Sequence, residues 1–167
     1  MIRRAALALM VLPVLASCGL RPVYAGGASG PVASTLSSVS VAPIPNRAGW
    51  LVRTALVDRL GSDGTANAAY RLEVDLDDDI SGFGIRGDRS VTRERRTLRA
   101  RYRLVQASSG LVLLDATAGS DAGIDVVSSP YATVAAEQTA LERLAKVVAD
   151  QIVARLALYA TSRPLGR

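Results

Sequence analysis

The stretch RERRTLRARYRL, residues 93–104, decides the fold when it is set beside YRLEVDLD, residues 70–77. In the later string Leu98, Ala100, Tyr102 and Leu104 fall on one side, while Arg93, Arg95, Arg99, Arg101 and Arg103 fall on the other. In the earlier one Tyr70, Leu72, Val74 and Leu76 alternate with Arg71, Glu73, Asp75 and Asp77. A period of two puts successive side chains on opposite faces of a strand, so each string is a β-strand with one apolar and one charged face. The segment Gly82-Phe83-Gly84-Ile85-Arg86-Gly87 between them reads as a hairpin turn over residues 82–87. Its G-x-G-x-x-G spacing is not a dinucleotide site, because Val91 onward alternates as a strand where a phosphate-binding helix would have to begin.

Working outward, Ser108, Ser109 and Gly110 mark a second turn, and a third strand runs from Leu111 to Thr117, making an antiparallel meander. Upstream, Val39, Val41 and Ile44 carry a short β signal stopped by Pro43 and Pro45, which marks an edge strand. Asn46 is placed to cap a helix over residues 47–60, with Leu51, Val52, Ala55, Leu56 and Leu60 on one stripe and Gly61 as its stop. Downstream, Ser129 is placed as a cap and Pro130 at the first helical turn. Nothing then breaks a helix over residues 131–160 before Pro164. Leu141, Leu144, Val148, Ile152, Leu156 and Tyr159 make its apolar stripe, and Glu142, Arg143, Asp150 and Arg155 face outward. The order β-α-β-β-β-α, with every strand apolar on one side only, predicts an α+β two-layer sandwich. Its four-stranded, mostly antiparallel sheet carries two helices on one face and shows the other.

At the start of the chain Arg3 and Arg4 precede an apolar run from Ala5 to Ala16, which is too short to span a bilayer and has the layout of a signal peptide. It ends in Leu15-Ala16-Ser17-Cys18, a string similar to the lipobox of bacterial lipoproteins, in which the thiol is acylated before cleavage. Cys18 is thus the expected lipidation site, and acyl chains such as palmitate would anchor the mature chain to a membrane by its N-terminus. The expected organisation is a signal peptide over residues 1–17 and a lipidated N-terminus and tether rich in Gly, Ala, Ser and Pro over 18–38. A single domain follows over 39–160, then a tail over 161–167.

Composition narrows the chemistry. With Cys18 as the sole cysteine and no histidine in 167 residues, the commonest general base, the commonest metal ligand and every Ser-His-Asp or Cys-His arrangement are missing. No G-x-S-x-G string compensates, so no catalytic set is expected, and neither is a cofactor. Asp75, Asp77 and Asp79 imitate the opening of a calcium loop, yet Ile80 stands where that loop needs glycine and Arg86 where it needs glutamate. The positive balance of +5 is carried almost wholly by arginine. Arg93, Arg95, Arg99, Arg101 and Arg103 have two readings. They are either a solvated ladder paired with the acids of the neighbouring strand, for instance Asp77 with Arg95 and Glu73 with Arg99, or a basic stripe suited to phosphate or carboxylate groups. Arginines outnumber acids on these two strands, which leaves a positive surplus. Nucleic acid is not expected as a partner of an exported, lipid-anchored chain.

The string Cys18-Gly19-Leu20-Arg21-Pro22-Val23-Tyr24 resembles the mature start of the LptE family of lipopolysaccharide-assembly lipoproteins. Arg53-Thr54-Ala55-Leu56, Asp58-Arg59-Leu60, Tyr70-Arg71-Leu72-Glu73-Val74, Tyr102-Arg103-Leu104 and the closing helix from Tyr131-Ala132 to Ala157-Leu158-Tyr159 follow in that family's order. The resemblance implies a non-enzymatic protein of the outer membrane, held on its periplasmic side, that plugs the LptD β-barrel and binds lipopolysaccharide. Gly19 after the cysteine is compatible with outer-membrane delivery. The five arginines from Arg93 to Arg103 are candidates for lipopolysaccharide contact on charge alone. The anchor and domain type are shared with periplasmic auxiliary lipoproteins of other transporters and secretion systems, which is the alternative reading.

Overall fold

The two alternating strings form the longest strands of the sheet. In a computed structural model that describes residues 30–62, 68–85 and 91–162, the elements are α1 (Pro31–Ser37), β1 (Val39–Val41), α2 (Asn46–Leu60), β2 (Tyr70–Ile85), β3 (Val91–Gln106), β4 (Val112–Asp125) and α3 (Pro130–Ser162). One sheet has the order β1-β2-β3-β4, with β1 parallel to β2 and the rest antiparallel. The α+β sandwich expected from the alternation is therefore the fold. Cys18 and the signal segment lie outside the described residues, as does most of the tail, although α3 extends two residues past the expected helix end.

Period two sorts the side chains as physics requires. Even positions of β2 and β3 enter the core: Leu72, Leu98, Tyr102 and Leu104 are at most 2% exposed. Odd positions face away from the helices. On α3 the predicted stripe of Leu141, Leu144, Val148, Ile152 and Leu156 is buried, while Glu142, Arg143, Asp150 and Arg155 are exposed. Between stripe and sheet sit small residues, Ala116, Ala118 and Ala122 on β4 and Ala145, Ala149 and Ala157 on α3, which let the helix lie close to the strands. Arg59 of α2 and Asp150 of α3 pair on the outside and tie the two long helices together. Tyr102 is buried among these apolar groups, and the loss of solvent raises its phenol pKa above the ordinary value, with the nearby Arg155 charge opposing.

Several local expectations need correction. Asn46 does not cap α2; the N-cap is Pro45, and Asn46 enters the helix at φ 67°, a left-handed conformation that asparagine tolerates better than most residues. Gly61 does end the helix in the left-handed region, and its N–H donates to the Val57 carbonyl over 3.1 Å. Residues 31–37, read as tether, form the short helix α1, started by Pro31 and seated on the core through Leu36. Gly82 and Gly84, expected in the turn, belong to β2, which runs to Ile85. Gly84 adopts φ 77°, and the Thr92 hydroxyl donates to its carbonyl over 2.9 Å. The third strand of the meander does not stop at Thr117 but continues to Asp125, drawn on by the ladder of β3 although Ala118-Gly119-Ser120 has little strand propensity of its own.

Gly49 shows how tightly α2 sits on the β1–α2 link. A Cβ there would lie 2.5 Å from the Ile44 carbonyl oxygen, a backbone atom that cannot swing aside. Gly49→Ala is expected to lower stability by about 1–2 kcal/mol despite the better helix propensity of alanine. A thermal melt that is unchanged or raised would show that the link gives way freely.

Candidate functional site

The face of the sheet opposite the helices is the feature that needs an explanation. Odd positions place Arg71, Glu73, Asp75, Asp77 and Asp79 of β2, Arg93, Arg95, Arg99, Arg101 and Arg103 of β3, and Asp115, Asp121 and Asp125 of β4 side by side. The five candidate arginines do share this face, along the third strand of the sheet. The observed register sets Asp77 opposite Arg99, Asp75 opposite Arg101 and Glu73 opposite Arg103, so the pairing suggested from sequence is four residues out. The turn was placed too early, and that moved every partner.

The salt bridges mostly run to the other neighbour. Arg93 pairs with Asp125 at 3.2 Å, Arg99 with Asp121 at 2.9 Å and Arg101 with Asp115 at 2.8 Å, all on β4. Arg103 reaches Glu73 at 3.3 Å, and Glu73 also receives Arg71 at 2.9 Å. Arg95 instead lays its guanidinium over the Phe83 ring, 5.3 Å from the centroid. With the β4 carboxylates counted, the positive surplus expected from two strands is gone and the face is close to balanced in charge. Sequence reasoning missed Asp121 and Asp125 because β4 was ended at Thr117.

Gly119 makes room for this arrangement. It lies opposite Arg99, and a Cβ there would come within 2.6 Å of the Arg99 Cδ and 2.8 Å of Nη1, so the bare backbone lets the side chain cross β4 toward Asp121. Asp75, Asp77, Arg99, Arg101, Thr117 and Gly119 line a shallow, open concavity of about 670 Å³ around this crossing. Among the described residues no group of His, Cys, Asp and Glu is arranged to hold a metal ion. The concavity offers fixed guanidinium forks, hydroxyls and carboxylates, which is an arrangement for binding anionic or zwitterionic groups at a surface.

The Arg101–Asp115 pair carries a pH signature. The hydrogen bond from Arg101 holds the Asp115 carboxyl below the usual carboxylate range, with the charges of Arg101 and Arg103 adding and slight desolvation opposing. The folded value is depressed, so ionised Asp115 favours the fold above the unfolded pKa near ~4, and that contribution fades as pH falls through the folded value. Melting temperatures of the protein and of Asp115→Asn are therefore expected to differ at neutral pH and to converge as the pH falls through the folded value. A gap that stays constant with pH would refute the linkage.

The fold is that of a small α+β domain whose sheet keeps one charged face open. The family model for LptE, lipopolysaccharide-assembly, matches residues 36–156, and the chain belongs to that family. It is a non-enzymatic lipopolysaccharide-assembly lipoprotein. A lipoprotein of Caulobacter crescentus is similar, with 28% identity, a TM-score of 0.68, and coverage of 80% of this chain and 100% of that one. Rare lipoprotein B of Shewanella oneidensis shares the fold at 13% identity and a TM-score of 0.57, over 74% of this chain and 95% of its own. A minor lipoprotein of Acinetobacter baumannii shares it at 15% identity and 0.59, over 73% and 92%. No curated protein matches the sequence.

Proposed function

We propose that the protein is lipidated at Cys18, is held in the periplasmic leaflet of the outer membrane, and serves as the plug and assembly partner of an LptD-like β-barrel while binding lipopolysaccharide on its way to the outer leaflet. The observation that carries this reading is the family match over residues 36–156, preceded by the lipobox-like string ending at Cys18. Among the described residues no helix is long and apolar enough to cross a membrane. Several acyl chains, at about 0.8 kcal/mol per buried methylene, suffice for durable anchoring.

Arg93, Arg95, Arg99, Arg101 and Arg103 are the proposed lipopolysaccharide contacts. Their carboxylate partners do not argue against this, because exposed pairs are worth only about 0.2–1 kcal/mol each and a phosphate offers the same planar forks a stronger acceptor. Arg99 and Arg101 keep 52% and 65% of their side chains in solvent while paired, which leaves donors free for a second ligand. Arg99→Gln/Arg101→Gln is expected to weaken lipopolysaccharide binding by about tenfold with a near-native melting temperature. Unchanged affinity in the folded variant would reduce the stripe to a structural ladder.

The wider reading is tested by mild detergent extraction from native membranes. The barrel partner should come with the protein, and depletion should lower surface lipopolysaccharide. Recovery without a barrel, together with normal surface lipopolysaccharide after depletion, would sink it.

A further inference from the structure

A four-stranded open sheet has two margins, and side chains from the helices close part of both. On β4, Gly119 donates its N–H to Gln151 Oε1 over 3.0 Å, and the Gln151 amide nitrogen donates back to the Gly119 carbonyl over 3.3 Å. One side-chain amide from α3 thus satisfies both edge groups as a neighbouring strand would, which blocks strand addition there. On β1, Arg53 of α2 donates from Nε to the Val41 carbonyl over 3.3 Å.

A third stretch of edge has no such cover among the described residues. The β1 lane ends when the Ala42 N–H donates to the Leu72 carbonyl over 2.9 Å and the prolines at 43 and 45 lead the chain away, but β2 continues alone to Ile85. The Ala107 N–H donates to the Ala69 carbonyl, and the register holds without a shift, so odd residues of β2 bond to β3 and even residues turn their backbone groups outward. The peptide groups of Leu76, Asp78 and Ile80 therefore face the vacant lane, and no described residue hydrogen-bonds them there. Alongside lies a cleft of about 490 Å³ with mixed walls, where Ala48, Leu76 and Leu141 stand beside Arg47, Asp78 and Arg96.

We propose that this lane receives an extended segment of a partner polypeptide, added to β2 as a strand in which apolar residues alternate with lysine or arginine. The backbone demand is for another backbone, because a row of alternating donors and acceptors at strand spacing matches an added strand. Side chains of the guest on the helix side come beside Leu76 and the exposed Ile80, with Asp78 between them already taken by Arg96, which selects apolar residues. Side chains on the other face come beside Asp75, Asp77 and Asp79, exposed carboxylates in no salt bridge among the described residues, since Arg99 and Arg101 turn to β4. That row selects cations. It also rejects a second copy of this chain, whose own β2 would set aspartates against aspartates. The proposal stands apart from the lipopolysaccharide reading, because the arginine stripe plays no part in it.

The test uses the full chain in detergent with three synthetic hexapeptides: alternating valine and lysine, alternating valine and glutamate, and the valine–lysine peptide with a central proline. Amide hydrogen exchange at Leu76 and Asp78 is expected to slow about tenfold with the valine–lysine peptide and to stay unchanged with the other two. Asp75→Asn/Asp77→Asn, if folded, should bind that peptide about tenfold more weakly. Protection by all three peptides, protection on β4 alone, or none at Leu76 and Asp78 would overturn the proposal. So would concentration-dependent protection of the same amides without peptide, which would assign the lane to a second copy.

Discussion

Ile152→Ala is expected to remove about 2–5 kcal/mol of folding stability in a urea titration, whereas Arg101→Ala on the charged face leaves the urea midpoint almost unmoved. The contrast follows from where each side chain sits. Ile152 is fully buried at the middle of the α3 stripe, between Val148 and Leu156 one helical turn away on either side. Truncation deletes three carbons and leaves a void in a core layer that holds many short side chains, Ala145, Ala149 and Ala157 on the same helix and Ala116 and Ala118 on β4. Alanines cannot reach across to refill space, and α3 is held by its other buried residues, so relaxation is limited and the cost belongs in the upper part of the range. Arg101 gives up an exposed pair that water replaces at once. A loss under about 1 kcal/mol at Ile152 would mean that helix and sheet close over the gap, and the close helix–sheet approach attributed to alanine would be wrong.

The same contrast explains how much of the molecule could be read from sequence. Burial of one strand face or one helix stripe writes a period into the chain, and the periods at 70–77, 98–104 and 141–159 locate β2, β3 and α3, although β2 runs eight residues past the end of its period. Segments whose structure depends on a neighbour carry no such mark. Residues 118–125 of β4 alternate only among Ala, Gly, Ser, Asp and Ile, and they become strand because β3 offers a free ladder. Residues 31–37 have the composition of a tether, yet Leu36 finds the core once α2 and α3 are in place. Register suffered most, since it hangs on where the turn lies, and an early turn sent each arginine to the wrong acid. Of the candidate site, the shared face of the five arginines was legible. Asp121 and Asp125, which meet Arg99 and Arg93, and the glycine over which Arg99 crosses were not, because all three depend on strand pairing beyond Thr117.

Arg96 departs from the alternation, an even-position guanidinium on the side of the sheet that otherwise takes apolar groups, and it defines the second large effect. Its Nε and Nη2 donate to the two carboxylate oxygens of Asp78 over 2.8 and 2.6 Å, and its Nη1 donates to the Glu137 carbonyl of α3 over 3.0 Å. The two side chains are only 13% and 23% exposed, so this bidentate pair is the least solvated ion pair of the described residues. It joins β2, β3 and α3 where the apolar layer thins toward the hairpin. The hydrogen bond to Asp78 raises the Arg96 pKa further, against the effect of burial, so the guanidinium stays charged wherever the protein folds. Asp78→Leu therefore strands a half-buried cation on one carbonyl, and a loss of about 2–3 kcal/mol is expected. Arg96→Met leaves Asp78 unpaired but nearer solvent, and should cost less. The double variant Asp78→Leu/Arg96→Met should recover much of the loss, because apolar residues of similar volume replace a partly buried pair at little net cost, giving a coupling of about 1–2 kcal/mol in a double-mutant cycle. Additive losses in that cycle would mean that Arg96 acts through Glu137 alone, and that the latch between sheet and helix does not require the aspartate.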